Sequence, residues 1–342
     1  MKWGNMKSRR RAIILTLISA LCLSGCGKSV HETTFTDSVA PEDYGLELET
    51  VPISIDGVKG SYTFLYMTDD QAIFENRDDL GWFGNTETRA FRDDAGIPSG
   101  ENIEHWIQYA NDSEVDAFLT GGDMIDYGST ENMQTIQKDL SELTMPYLYT
   151  YGNHDSYIPW ENTFIDTDET FLKVFKDNNC EFQSLDMGEF YVASIRDYQV
   201  DGIAQISAEA LEGFRSLYKK GKPIILICHV PIYTAGVEDL KQTLENEYGE
   251  LVVQYDAGNF GTVNKSLLLG EDCGYELTPE TEEFLNLLTA DDSPVVAVLA
   301  GHLHAGWSGN LTDHIYEYVG KPAFLNQGAL ITVQGTAKKE EG

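Results

Sequence analysis

The chain has 342 residues, 56 acidic against 23 basic side chains, a formal charge of −33 and 42% hydrophobic residues, which is too apolar for a disordered or collagen-like chain. That length accommodates one large domain or two small ones, with a core that needs no disulfide framework. So acidic a protein repels nucleic-acid backbones and anionic lipid surfaces at long range, so no duplex nucleic acid is expected as a partner, and an anionic substrate needs a local positive attractor.

Lys7, Arg9, Arg10 and Arg11 precede an apolar run over residues 12–23, the charged-then-hydrophobic order of an export signal. The run is short for a bilayer span. Leu23-Ser24-Gly25-Cys26 resembles the lipobox of bacterial lipoproteins, which implies cleavage before Cys26 and a lipid on that cysteine. An ordinary signal peptide, or a buried helix with an incidental cysteine, is the alternative. Residues 1–25 carry five basic side chains and no acidic one, so their removal takes the formal charge from −33 to −38. The expected organisation is a signal peptide (1–25), lipidated Cys26 with tether and lead-in strand (26–58), one domain (59–336) and a polar tail (337–342). Such a chain would sit on the outer face of the cell membrane, held by its lipid. Of the three cysteines left, Cys228 lies in an apolar strand pattern and reads as a buried thiol, and Cys180–Cys273 is the pair to test.

From Ser61 short apolar runs alternate with amphipathic segments, the pattern of an α/β fold. Ser61–Thr68, Ala117–Thr120, Tyr147–Tyr151, Phe190–Ile195, Pro223–Cys228 and Val295–Ala300 read as strands. Glu101–Ala110, Thr130–Leu143, Ser207–Lys220 and Thr278–Leu288 read as helices, with Ser207 and Thr278 as N-caps. Ala323–Val333 reads as a strand closing a sheet edge. Residues 233–275 are irregular and acidic, as functional loops often are.

Metal-binding residue types stand just beyond these apolar runs. Asp69-Asp70-Gln71 follows the first, Gly121-Gly122-Asp123-Met124-Ile125-Asp126 the second and Gly152-Asn153-His154-Asp155 the third; His229 and Gly301-His302-Leu303-His304 follow two later ones. Open α/β sheets bind ligands at the carboxyl ends of their strands, so these clusters can converge on one crevice. Carboxylate, imidazole and amide oxygen together suit Mn²⁺, Fe or Zn²⁺, whereas calcium would draw nearly all oxygen and structural zinc would draw thiolates. His31, His105 and His314 fall outside the clusters and read as ordinary residues. Gly301 is expected to permit the tight turn that points His302 and His304 into one crevice. Tyr157, Trp160, Tyr233 and Trp307 lie near the motifs, where packing is the simpler reading and stacking on a flat substrate group the alternative.

The order D-x-x, GDxxD, GNHD, H, GHxH resembles the calcineurin-like metallophosphoesterases over roughly residues 60–336. The resemblance implies an α/β fold, a metallophosphoesterase-type β-sandwich of two mixed sheets flanked by helices and holding two divalent metal ions. It makes Asp123 the bridging carboxylate, places Asp69 and His304 on the first metal, and places Asn153, His229 and His302 on the second. It gives His154 the substrate phosphate or the leaving group, with Asp155 fixing its orientation and Asp126 as support. It implies hydrolysis of a phosphate mono- or diester of a small molecule by attack of a metal-bridging hydroxide. The sequence departs from the family at Gln71, where histidine is usual: an amide oxygen binds Zn²⁺ or Fe²⁺ more weakly than imidazole and shifts the first site toward harder metals such as Mn²⁺ or Mg²⁺. A metal- or ligand-binding lipoprotein with weak or lost catalysis is the reading that Gln71 keeps open. Asp70 is expected to be an exposed carboxylate, with service as an extra oxygen ligand the alternative.

Overall fold

The structure is a computed structural model that describes residues 39–75, 90–158, 163–164, 181–197, 204–234, 237, 239–240, 242–243, 267–270 and 275–336. Cys26, His31, Trp160, Cys180, Cys273, most of the 233–275 loop and the polar tail lie outside the described residues, so the lipid anchor and the disulfide pairing are not addressed by it. Among the described residues no helix is long and apolar enough to cross a membrane.

In chain order the elements are β1 (Glu47–Ile55), β2 (Ser61–Met67), α1 (Ser99–Asp112), β3 (Ala117–Thr120), α2 (Thr130–Leu140), β4 (Tyr147–Leu148), β5 (Phe182–Asp186) and β6 (Tyr191–Ile195). Then come α3 (Ala208–Tyr218), β7 (Ile224–Ile227), α4 (Pro279–Leu288), β8 (Val295–Ala300), β9 (Trp307–Asn310), β10 (Tyr316–Val319) and β11 (Gln327–Gly335). A five-stranded sheet runs β1-β11-β2-β3-β4 and a six-stranded sheet runs β9-β10-β8-β7-β6-β5. Both are mixed: β2, β3 and β4 are parallel, as are β6, β7, β8 and β10, while β11–β2, β9–β10 and β5–β6 are antiparallel.

Alternation within each strand builds the layers. Phe64, Tyr66, Ala117, Leu119, Ala329 and Ile331 of the first sheet pack with Val192, Ile225, Ile227, Ala297 and Leu299 of the second, closing a sandwich. The intervening residues face outward onto helices. Leu65, Met67 and Phe118 meet α1 and α2, and Ala193, Leu226 and Val298 meet α3 and α4. Covered on both faces, the central parallel strands carry near-continuous apolar runs, and β7 is buried at every position. Side-chain caps start α2, α3 and α4: the Ser129 hydroxyl accepts from the Asn132 N–H, Ser207 from Ala210 and Thr278 from Thr281, each contributing about 1 kcal/mol.

Three boundaries differ from the sequence expectation. The α2 helix stops at Leu140, because the Ser141 hydroxyl turns back to donate to the Lys138 carbonyl at 2.6 Å. The third strand is shortened to Tyr147–Leu148, after which the Thr150 N–H donates to the Thr120 hydroxyl and leaves the ladder. The C-terminal apolar stretch does not close an edge. Ala323–Leu325 forms a 3₁₀ turn, Asn326 reverses the chain at φ 59°, and β11 inserts between β1 and β2. Its alternation is the same for an inner strand as for an edge strand, so periodicity does not place it. The lead-in strand β1 pairs with β11 over nine residue positions and takes the edge, exposing one face.

Candidate metal centre

The expected clusters meet where the carboxyl ends of the two sheets' strands come together. Among the described residues, five of the six non-glycine residues with positive φ are here: Asp69 (55°), Gln71 (53°), Asp123 (52°), His302 (69°) and His304 (50°). Left-handed backbone costs a side-chain-bearing residue free energy and persists where surrounding structure imposes it, often at functional sites. Gly301 is not itself left-handed; the histidines are. Its role is close approach, since a Cβ there would collide with the Thr68 hydroxyl and the Asp69 carboxylate. Gly122, at φ 95°, likewise admits the His229 ring, with a Cβ only 2.5 Å from Nδ1.

Asp123, after β3, is almost fully buried. Its Oδ1 accepts from the His154 N–H at 2.8 Å, and its Oδ2 lies 3.1 Å from Gln71 Nε2 and 3.2 Å from His229 Nε2. Around that same His229 nitrogen stand Asn153 Oδ1 and His302 Nδ1, each at 3.1 Å. Asp69 accepts the His302 N–H and the Thr68 hydroxyl, and its Oδ1 lies 3.5 Å from His304 Nε2.

This donor set fits a cation. His229 Nδ1 lies 2.8 Å from the Gly121 carbonyl, which can only accept, so that nitrogen carries the proton and a neutral ring turns a lone pair at Nε2 toward Asp123, Asn153 and His302. Lone pairs facing one another repel unless a positive charge lies among them. The ligating atoms of Asp123, His229 and His302 lie within 4.8 Å of one another. Without a metal, a proton takes that place: burial disfavours it, but the Asp123 carboxylate pushes His229 up to about 10. Burial would raise the Asp123 carboxyl, yet His229, His154 and His302 together hold it well below the usual carboxylate range.

Two roles differ from expectation, those of Asp155 and Asp70, while Asp126 is the support it was expected to be. Asp155 does not orient His154. Its carboxylate accepts from the N–H groups of Asp123, Met124, Ile125 and Gly152 and from the Tyr149 hydroxyl, shaping the turn that presents Asp123. Asp126 holds His154 instead, its carbonyl and Oδ1 lying 2.9 and 3.1 Å from Nδ1. Burial works against a charged His154, but Asp123 and Asp126 raise it to about 9. Asp70 is not exposed: the chain turns sharply on both sides of it, and both carboxylate oxygens are buried with no hydrogen-bond partner among the described residues. Burial drives its pKa well above the ordinary value.

The sequence reading missed Asp197, whose buried carboxylate accepts the N–H groups of His229 and Val230 at 3.2 and 2.8 Å. Burial raises it to about 7, opposed by His229 and these donors. It follows the apolar run Phe190–Ile195 as the other clusters follow theirs, and that signal would have found it. Tyr233 is buried in the second sheet's helix-side core, and Trp307, partly buried, packs against the same core. Cys228 is a fully buried free thiol, and His105 and His314 are exposed away from the centre.

A sequence model described as calcineurin-like phosphoesterase matches residues 98–306. No curated protein matches the chain. Among similar solved structures, a dimetal phosphatase from Danio rerio is 11% identical, with 79% of this chain and 91% of that one covered and a TM-score of 0.45. A phosphopantetheinyl hydrolase from Mycobacterium tuberculosis is 12% identical over 78% and 91%, with a TM-score of 0.39. A 5'-nucleotidase from Candida albicans is 13% identical over 80% of this chain and 47% of its own length, with a TM-score of 0.36.

Proposed function

The chain belongs to the calcineurin-like phosphoesterase family and is a metal-dependent phosphoester hydrolase, and from that premise we propose that it is lipid-anchored through Cys26 and cleaves small phosphate mono- or diesters outside the cytoplasm. The observation that carries the site assignment is the convergence of Asp123 Oδ2, Asn153 Oδ1 and His302 Nδ1 on His229 Nε2. Asp123 would be shared between the two halves of the site. Asn153, His229 and His302 complete one half, and Asp69, Gln71 and His304 the other. Two divalent cations held there supply positive charge to the phosphoryl oxygens and lower the pKa of a nucleophilic water. The carboxylate, amide and imidazole mixture favours Mn²⁺.

The protein's own side chains do the rest. Asp126 holds His154 with Nδ1 turned toward it, so Nε2 is the nitrogen that gives a proton to the departing ester oxygen. Asp155 and Asp197 fix the backbone that carries Asp123 and His229, so the ligands arrive prearranged. The acidic surface does not exclude a phosphate ester, because salt screens the outer field within about 8 Å while a pair of cations attracts at short range.

Metal-free protein reconstituted with Mn²⁺ is expected to hydrolyse p-nitrophenyl phosphate or its bis ester. Asp123→Ala and His229→Ala are each expected to reduce kcat/KM by at least about a hundredfold. Wild-type rates in both variants would overturn the assignment.

A further inference from the structure

Gln71 is fully buried inside the ligand cage, yet its amide is only half satisfied. Its Nε2 donates to Asp123 Oδ2 at 3.1 Å and lies 3.3 Å from His304 Nε2, while its Oε1 has no hydrogen-bond partner among the described residues. We infer that Gln71 divides the centre into unequal halves, a tight one formed by Asp123, Asn153, His229 and His302 and a weak one formed by Asp69, Gln71, Asp123 and His304. This inference rests on the phosphoesterase reading for the existence of two cations, and it assigns the order in which they load.

The amide serves two states. With its nitrogen toward Asp123, as here, it occupies lone pairs that a cation would need, so the metal-free cage is closed by its own hydrogen bonds. Turned half over, which exchanges nitrogen and oxygen with little change of shape, it presents Oε1 beside Asp123 Oδ2 and His304 Nε2. That is a convergence of acceptors like the one around His229. A cation entering this half must first displace the Gln71–Asp123 bond, and then gains a neutral oxygen rather than an imidazole nitrogen. Both effects weaken binding, and the second favours hard cations such as Mn²⁺ or Mg²⁺ over Zn²⁺. The other half has two imidazoles, and the Gly121 carbonyl fixes the His229 tautomer in advance. Second-cation binding is therefore the step at which the supply of hard divalent cations sets activity.

The test is Mn²⁺ titration of the metal-free full chain, followed by calorimetry and electron paramagnetic resonance. The first equivalent is expected to bind tightly and give the six-line spectrum of isolated Mn²⁺. The second is expected to bind at least about tenfold more weakly and to bring a spin-coupled signal. Gln71→His should narrow that gap and raise Zn²⁺ uptake in the second half. Gln71→Glu, which has two acceptor oxygens and no amide hydrogen, should tighten the second Mn²⁺ and leave the first unchanged. Equal affinities for both cations in the wild type, or a second affinity indifferent to both substitutions, would overturn the inference. Binding is read without turnover, so two cations bound unequally with no ester hydrolysis refutes the phosphoesterase reading alone. Hydrolysis with an indifferent Gln71 refutes this inference alone.

Discussion

At His154 one ring nitrogen is committed to Asp126, through both its carbonyl and its carboxylate, and the ring stays 28% exposed. A group held this way is suited to protonate a leaving oxygen, and its value depends on how badly that oxygen needs the proton. His154→Asn is therefore expected to cost about 10²–10⁴ in kcat for an alkyl phosphate and much less for p-nitrophenyl phosphate, whose phenolate leaves unprotonated. Asp126→Asn keeps a hydrogen-bonding oxygen but loses the charge that raises His154. Its pH–rate profile should lose activity at a lower pH on the alkaline side than the wild type does. Equal losses on both esters would remove His154 from proton transfer. The adjacent carboxylates show why residue type does not assign role: Asp126 and Asp155 both stand in motif positions, yet one touches the imidazole and the other only backbone N–H groups and a phenol.

At the scale of the strand, β10 carries a second unusual carboxyl. Glu317 faces the helix-side core of its sheet, where Oε1 accepts the Ile232 N–H at 2.8 Å and Oε2 has no hydrogen-bond partner among the described residues. Burial pushes it from 4.5 up to about 8, against the pull of that donor. Between those values the folded chain holds a proton that the unfolded chain has released. The stability tied to that proton is complete below about pH 4.5 and is lost as pH rises through 8. Glu317→Gln keeps the shape and the acceptor while removing the titration. Its unfolding free energy should match the wild type near pH 5 and exceed it near pH 9 by on the order of 4 kcal/mol, read by denaturant unfolding at the two pH values. A constant difference across that range would assign Glu317 a packing role alone.

For the whole molecule, the charged-then-apolar N-terminus ending at Cys26 is what the proposed lipid tether rests on, in a chain whose formal charge is −33. Cys26→Ser expressed in a bacterial host should move the protein from the membrane fraction to the soluble fraction, and mass spectrometry of the wild type should find a diacylated or triacylated Cys26 as its first residue. Unmodified wild-type protein that still begins at Met1 would end the lipoprotein proposal. The two sheets meet at one end through long-range bonds such as Asp69 to the His302 N–H, 233 positions apart, so the centre forms only when both halves of the sandwich are in place.

The sequence by itself determined the α/β pattern, the N-caps Ser207 and Thr278, the family, and that polar residues at Asp69, Asp123, Asn153, His229, His302 and His304 end apolar runs. These are local properties: a polar residue ending an apolar run, or a hydroxyl three positions before the amide it caps, is visible without knowing what lies across the fold. Only the tertiary structure decided that β11 is an inner strand, that Asp70 is buried, that Asp126 rather than Asp155 holds His154, and which way the Gln71 amide faces. Each of those depends on contacts between distant segments, where periodicity and residue type are the same for either outcome and packing alone chooses between them.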